Sequence, residues 1–321
     1  MINDKTILIF GGSGSLGHEL IYRYVNHNKL YVYSRDECKH WKMKVSIQND
    51  NLGFVIGDVI NKEKVSQTLL RINPHIVMMC SAMKHIDICE TDVSSSLNTN
   101  ILGNKHILDA IEENLPVLSN IENVCFISTD KACSPVNVYG MCKAISEGLM
   151  AEKAFHVPSV KFVTVRYGNV LNSRGSIIPL LHELCQTGKQ LRLTDDRMTR
   201  FVMTLEQSVD LIEYAITQGE SGDIVIPKLI SMNLIDLFEI FAEKYDKTIE
   251  MSSLRPGEKL LESLINTTQS MRIQKGEDDY IHIKSPLKYG ILNTTPMDYN
   301  SKINPLSKEE LKAFVIKMNL L

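Results

Sequence analysis

The sequence predicts an α/β protein, a Rossmann-type doubly wound parallel sheet with a smaller, interleaved C-terminal substrate-binding lobe. Three observations carry that prediction. Six short β-favouring runs alternate with stretches of helical periodicity through the first half of the chain, and parallel strands need such helical crossovers. A glycine cluster, Gly11-Gly12-Ser13-Gly14-Ser15-Leu16-Gly17, follows the first run and opens the first helix. Beyond Gly168 the order changes, so the second half reads as a lobe sharing segments with the first.

The six runs are Thr6 to Phe10, Leu30 to Ser34, Phe54 to Ile56, Ile76 to Cys80, Asn123 to Ser128 and Lys161 to Tyr167. Between them, Leu97, Ile101, Leu108 and Ile111 approximate one helical stripe, and Tyr139 to Phe155 continues without proline. Thr204 and Gln207 make a capping-box pattern that starts a helix reaching Gln218. Asp223 to Pro227 reads as one more strand, Leu234, Leu237, Phe238 and Phe241 mark a further helix, and Ser307 to Met318 a short capped one. There is no internal repeat and no low-complexity linker. Residues 1–170, completed by segments near 201–228, are expected to form the dinucleotide-binding domain, and 171–321 mainly the substrate-binding lobe.

Composition narrows the function. With 321 residues, 44% of them hydrophobic, the chain can bury a full core. A formal charge of -3, with Lys and Arg spread along the chain, gives no footprint for nucleic acid. The longest apolar run, around Ile76 to Met83, is far too short to span a bilayer, and the N-terminus enters a strand without a signal-peptide pattern. Seven cysteines without metal-like spacing read as reduced thiols, so a cytoplasmic location is expected.

Each motif has a chemical reading beside a structural one. Glycines between a strand and a helix let the backbone approach a pyrophosphate, whose charge the free N–H groups of the helix N-terminus stabilise. At the end of the second strand stands Ser34-Arg35 rather than a lone carboxylate. A guanidinium there pairs with a 2′-phosphate, favouring NADP over NAD, unless it is a solvated arginine beside Asp36 and Glu37. Asp58 suits either an adenine amine or an Asx turn. Tyr139 and Lys143, four apart, share one helix face, where an ammonium and a positive nicotinamide ring would lower the phenol pKa and make Tyr139 a proton acceptor. Asp130 and Lys131 stand at the carboxyl end of a parallel strand, where open α/β sheets bind ligands. Their plainer reading is a capping carboxylate and a solvated amine.

Together with Phe10 to Gly17, Ser34 to Glu37, Ser128 to Lys131 and Tyr139 to Lys143, the blocks Arg166-Tyr167-Gly168-Asn169-Val170, Ser173-Arg174-Gly175-Ser176, Met198-Thr199-Arg200-Phe201 and Arg255-Pro256-Gly257-Glu258-Lys259 resemble the extended short-chain dehydrogenase/reductase superfamily. More narrowly they resemble the inverting UDP-N-acetylglucosamine 4,6-dehydratases, to about Ser285. The resemblance implies that NADP transiently takes a hydride from carbon 4 of a UDP-hexose while Tyr139, assisted by Lys143, takes the 4-hydroxyl proton. Lys131 is implied as the base at carbon 5, with a lowered pKa, and Asp130, with a raised one, as the acid that expels the 6-hydroxyl. Thr129 is implied to orient the sugar.

By the same resemblance the cofactor site comprises Gly11, Ser13, Gly14, Ser15, Leu16, Gly17, Ser34, Arg35, Asp58, Val59, Ser81, Ala82, Lys84, Asn100, Tyr139 and Lys143. Lys84, Thr129, Asn169, Arg200, Arg255 and Glu258 are implied to hold the nucleotide sugar, and Asn100 to support Lys143 through water. No metal is expected, and similar enzymes imply a homo-oligomer, dimer or hexamer. The chain departs from the pattern at Phe10-Gly11, where relatives carry threonine before the glycines, and at Cys80-Ser81. A nucleotide-sugar 4-epimerase, which needs only Tyr139 and Lys143, a retaining 4,6-dehydratase and a non-catalytic NADP-binding sensor are the other classes considered.

Overall fold

The computed structural model describes residues 1–321. Strands β1 (Thr6–Phe10), β2 (Lys29–Ser34), β3 (Leu52–Ile56), β4 (Ile76–Met79), β5 (Asn123–Ile127) and β6 (Lys161–Val165) form the parallel core of one sheet, in the order β6-β5-β4-β1-β2-β3. Ile7 pairs with Leu30 on one side and Ile76 on the other, so the strand order reverses at β1 and leaves a crevice beyond the carboxyl ends of β1 and β4. Strand β1 reads as an unbroken apolar run because both faces are covered. Ile7 and Ile9 pack with Leu20 and Ile21 of helix α1 (Ser15–Tyr24), and Leu8 and Phe10 pack with Val65, Leu69 and Ile107.

The predicted runs end with the strands at β1, β2 and β3, and one or two residues later at β4, β5 and β6. The Cys80, Ser128 and Arg166 N–H groups still donate to the Phe10, Val165 and Val225 carbonyls, but with Tyr167 these residues leave the strands at the carboxyl edge where the crevice opens. The stripe expected through Leu97, Ile101, Leu108 and Ile111 is divided, because residues Asn98–Leu102 form a π-helical turn between Val93–Leu97 and Gly103–Glu113. The wider turn rotates the helix, leaving Leu97 exposed while Leu108 and Ile111 stay buried.

The expected division near residue 170 is crossed several times. Helix Leu205–Gln218, started by the Thr204/Gln207 capping box, packs against α1. Strand Ile224–Ile226 then joins the main sheet beside β6. Ile281–Ile283 and Ile273–Lys275 extend that edge antiparallel, to nine strands in all, an addition the sequence pattern does not announce. Thr199–Met203 instead belongs to a second, four-stranded sheet with Asn169–Val170, Ile230–Asn233 and Pro305–Leu306. Leu181, Leu237, Phe241, Leu311 and Val315 form the core of that lobe. No helix is long and apolar enough to cross a membrane.

Candidate active site

A cleft of about 980 Å³ runs along the carboxyl edge of the main sheet, from the glycine turn to the Thr129–Lys131 loop. At Gly11 the backbone has φ +80°, and an added Cβ would lie 2.6 Å from backbone atoms of Ser81, so only glycine fits without displacing the β4 loop. Gly11 N–H donates to the Tyr33 carbonyl (2.8 Å). Gly14 is the N-cap of α1 and makes no side-chain cap, which leaves the first-turn N–H groups open towards the cleft. Ser13, Ser15, Leu16 and Gly17 complete this wall.

A loop from the second lobe closes over the turn. The Arg174 guanidinium donates to the Ser13 carbonyl, the Arg174 N–H donates to Ser15 Oγ (2.9 Å), and Lys84 Nζ donates to the Arg174 carbonyl (2.6 Å). Arg174 carries no role in the sequence reading, although Ser173-Arg174-Gly175-Ser176 is one of its motifs. The signal for this contact is the loop's backbone, with positive φ at Asn172 and Gly175.

At the far end, Arg35 is 65% exposed and reaches Asp58 Oδ2 at 3.4 Å. Asp58 Oδ1 accepts the Ile60 N–H (3.2 Å), the Asx-turn arrangement. Ser34 Oγ lies 2.6 Å from His40 Nε2. Val59, Ser81 and Ala82 line the cleft, and Ser81 Oγ, Asn169 Oδ1 and Ser176 Oγ are buried there without partners. Asn100 stands behind the wall. Its amide donates to the Met83 carbonyl (2.9 Å) and accepts the Met83 N–H (2.8 Å), and its own carbonyl takes Ser146 Oγ (2.8 Å).

The other end of the cleft is a 3-10 turn, Asp130–Ala132, capped by Thr129 and held by the Asp130 N–H to the Tyr167 carbonyl (2.9 Å). Asp130 Oδ1 accepts both Thr129 Oγ1 (3.0 Å) and Lys131 Nζ (3.0 Å). Tyr139 stands on helix Val138–His156 and lines the cleft together with Thr129. Lys143, one turn further on, is buried and donates to the Ile127 carbonyl (2.7 Å). Thr129, Lys131, Tyr139 and Lys143 therefore line one cleft, with Asp130 directly beneath.

Burial raises the Asp130 pKa, as the acid role requires, with Lys131 opposing. Two other expectations need correction. Burial lowers the Lys131 amine, but the Asp130 and Glu262 carboxylates outweigh it and hold it above the ordinary lysine range. Burial pushes the Tyr139 phenol up to about 12, because desolvation of the phenolate exceeds the help from Lys131. It is Lys143 that is lowered, to about 8, by burial.

Glu262 was not singled out in the sequence, yet its buried carboxylate lies 3.2 Å from Lys131 Nζ. Arg200 is buried next to this group and donates to the Thr199 carbonyl (2.8 Å), not into the cleft. Arg255 is exposed, and Glu258 accepts its N–H (2.9 Å) as a turn cap, so both stand outside the cleft lining. The Gly257 carbonyl in this turn accepts Asn137 Nδ2 (2.8 Å), which docks the turn on the N-cap of the Tyr139 helix.

A family model for polysaccharide biosynthesis proteins matches residues 7–284. The chain belongs to the polysaccharide biosynthesis protein family. Its sheet order, glycine turn and Tyr-Lys helix are those of an extended short-chain dehydrogenase/reductase. Among its relatives, a UDP-glucose 4-epimerase of Rickettsia rickettsii is 36% identical over 87% of this chain and 83% of its own. An inverting UDP-N-acetylglucosamine 4,6-dehydratase of Campylobacter jejuni is 35% identical over 97% of this chain and 91% of its own. In three dimensions the chain is similar to Pen from Bacillus thuringiensis, with a TM-score of 0.91, 31% identity and 99% of each chain covered.

Proposed function

We propose that this member of the polysaccharide biosynthesis protein family dehydrates a UDP-hexose, UDP-N-acetylglucosamine, to a UDP-4-keto-6-deoxy sugar with inversion at carbon 5. The observation that carries this reading is the Asp130–Lys131 pair beside Tyr139. A 4-epimerase has no use for an added acid and amine, whereas elimination across carbons 5 and 6 needs both. The named C. jejuni relative supports the same substrate class.

The residues fit a nicotinamide dinucleotide. Gly11 admits a close backbone approach, α1 has an uncapped N-terminus, and Ser81 Oγ and Asn169 Oδ1 are buried without partners. Arg35 and Lys39 line the adenosine end, and Asp36 is engaged in capping Lys39 N–H (3.0 Å), which supports NADP over NAD. When bound, NADP supplies the acceptor for the carbon 4 hydride and the donor that returns it to carbon 6.

Tyr139 takes the 4-hydroxyl proton as a phenolate, a form that the Lys131 cation favours and that the positive ring of a bound oxidised cofactor would favour further. The ketone acidifies carbon 5, whose proton passes to Lys131 once Lys131 has handed its own to Asp130 across their 3.0 Å contact. Asp130, favoured in its protonated form by burial, gives that proton to the departing 6-hydroxyl, which leaves as water. As hydride would return to carbon 6, carbon 5 takes a solvent proton on the face opposite Lys131; Tyr139 releases the 4-hydroxyl proton to solvent, and Lys131 and Asp130 re-exchange theirs, so the sum over the cycle is loss of one water. Asn169 reaches the sugar from the cleft wall, and Arg174 and Lys84 stand over the diphosphates.

The test is incubation with UDP-N-acetylglucosamine in D2O, read by NMR. A 4-keto-6-deoxy product labelled at carbon 5 is expected, with the carbon 4 hydride recovered on carbon 6. The R. rickettsii relative favours a second reading, 4-epimerisation. That reading predicts a galacto isomer without solvent label, and such a product would overturn the first.

A further inference from the structure

Lys131 is flanked by two carboxylates, and one of them comes from the second lobe. Its amine lies 3.0 Å from Asp130 Oδ1 and 3.2 Å from Glu262 Oε1. Glu262 is fixed by its main chain: its N–H donates to Ser301 Oγ (3.0 Å), its carbonyl accepts the Ser301 N–H (2.8 Å), and Ser301 Oγ lies 2.8 Å from Thr199 Oγ1. The second carboxylate oxygen is buried, with only Lys259 Nζ near it at 3.6 Å, and Lys259 is itself tied to the Cys133 carbonyl (2.9 Å). The charged and titratable groups facing this cluster are Asp130, Tyr139, Arg200, Lys259 and Glu262.

We propose that Glu262 is a positioning residue of this site, which holds the Lys131 amine against the cleft and sets how firmly that amine keeps its proton. Without the Glu262 charge, Lys131 would face Arg200 and Lys259 with only Asp130 to oppose them, and burial already biases Asp130 towards its neutral form. Without the Lys259 charge, one fewer cation competes with Lys131 for Glu262, leaving Arg200 as the other one. The two neighbours therefore pull the Lys131 amine in opposite directions, a signature that mere packing does not give.

The consequence for turnover rests on the dehydratase reading. Elimination starts from neutral Lys131 with protonated Asp130, and ends with the Lys131 ammonium and the Asp130 carboxylate. No proton is created or lost beyond those leaving in water. Glu262 stabilises the ammonium both before Lys131 hands its proton to Asp130 and after elimination, so its effect falls on the proton transfers within the bound complex rather than on substrate binding.

The test measures Lys131 directly and does not depend on the substrate. Acetylation of Lys131 by acetic anhydride is followed by peptide mass spectrometry across pH in the full-length protein. Glu262→Gln is expected to lower the midpoint for Lys131 by about one pH unit or more, and Lys259→Gln to raise it. Glu262→Asp should restore most of the parent profile. An unchanged midpoint in Glu262→Gln, or a shift of the same sign in Lys259→Gln, overturns the proposal. Should Glu262→Gln not fold, the direction of the Lys259→Gln shift still decides it. If the dehydratase reading also holds, Glu262→Gln shifts the pH profile of kcat to lower pH by about as much as the Lys131 midpoint, with KM within about twofold. A parent protein that forms no keto sugar would sink the dehydratase reading and leave the Lys131 titration intact.

Discussion

Replacing Arg166 by methionine should destabilise the protein more than almost any other single change. Arg166 is fully buried at the end of β6 and spends its guanidinium on two lobes at once. Nε donates to Glu147 Oε1 (2.9 Å) and Nη2 to Glu147 Oε2 (2.5 Å). Nη1 donates to the Leu264 carbonyl (2.7 Å) and Gln269 Oε1 (2.8 Å). Methionine fills much of the volume but leaves the buried Glu147 carboxylate with only Ser128 Oγ (2.6 Å). Breaking a buried pair from one side costs about 3–5 kcal/mol, and the orphaned Leu264 carbonyl adds about 1 kcal/mol or more. The expected loss is thus about 4–6 kcal/mol, read as a fall in Tm of roughly 10 °C. Arg166→Met/Glu147→Leu removes the stranded charge and should recover at least about 2 kcal/mol of that loss in urea denaturation. If the two single losses simply add in the double variant, the pair is not coupled and the reasoning fails.

Three further outcomes follow from the site. Lys143 carries a folded-state pKa near 8, below its unfolded value, so the unfolded chain binds more protons between there and the ordinary lysine range. The cost of its buried charge is present below pH 8 and fades above it; Lys143→Met should melt higher than the parent at pH 7, with the gap closing by about pH 10. Gly11→Ala places a Cβ 2.6 Å from the Ser81 backbone at φ +80°. Fluorescence titration should then show loss of dinucleotide binding, accompanied by about 1–3 kcal/mol of destabilisation. Arg35→Ala should weaken NADP about 10- to 100-fold and leave NAD nearly unchanged by calorimetry, and equal losses for both would refute the 2′-phosphate assignment.

What the sequence reveals is what short stretches decide. The capping boxes at Thr204/Gln207 and Ser307/Glu310 are set by residues three apart and appear in place. The glycine turn is equally local, since φ at Gly11 and the uncapped Gly14 belong to the strand-turn-helix itself. The π turn at Asn98–Leu102 escaped because an apolar stripe read at 3.6 residues per turn carries no mark of one inserted residue. Ile273–Lys275 and Ile281–Ile283 are three-residue strands whose place depends on the exposed edge at Ile224–Ile226, which only the folded sheet presents. The Lys131 amine shows the same limit in chemistry. Asp130 beside it is visible in sequence, but Glu262 arrives from the other lobe, and it helps decide the direction of the shift.

Two buried charge clusters sit on the seam between the lobes, and this placement has a mechanical meaning. Arg166 and Glu147 join the residues next to Ser128 to Leu264 and Gln269, while Lys131 joins Asp130 to Glu262. Each cluster ties the loop at the end of β5 to the 262–269 segment. Apolar side chains of similar volume would pack such a seam as well or better, since desolvating an ion pair costs about what its attraction returns. Apolar packing, however, tolerates a shift of register between the lobes that a bidentate guanidinium does not. The charges therefore fix where Thr129, Asp130 and Lys131 stand relative to the second lobe, which supplies Asn169 and Arg174 to the same cleft. The proposed elimination, with an acid and an amine acting on adjacent carbons, needs that spacing held throughout, and a seam of directional ion pairs holds it where a greasy one would let it slide.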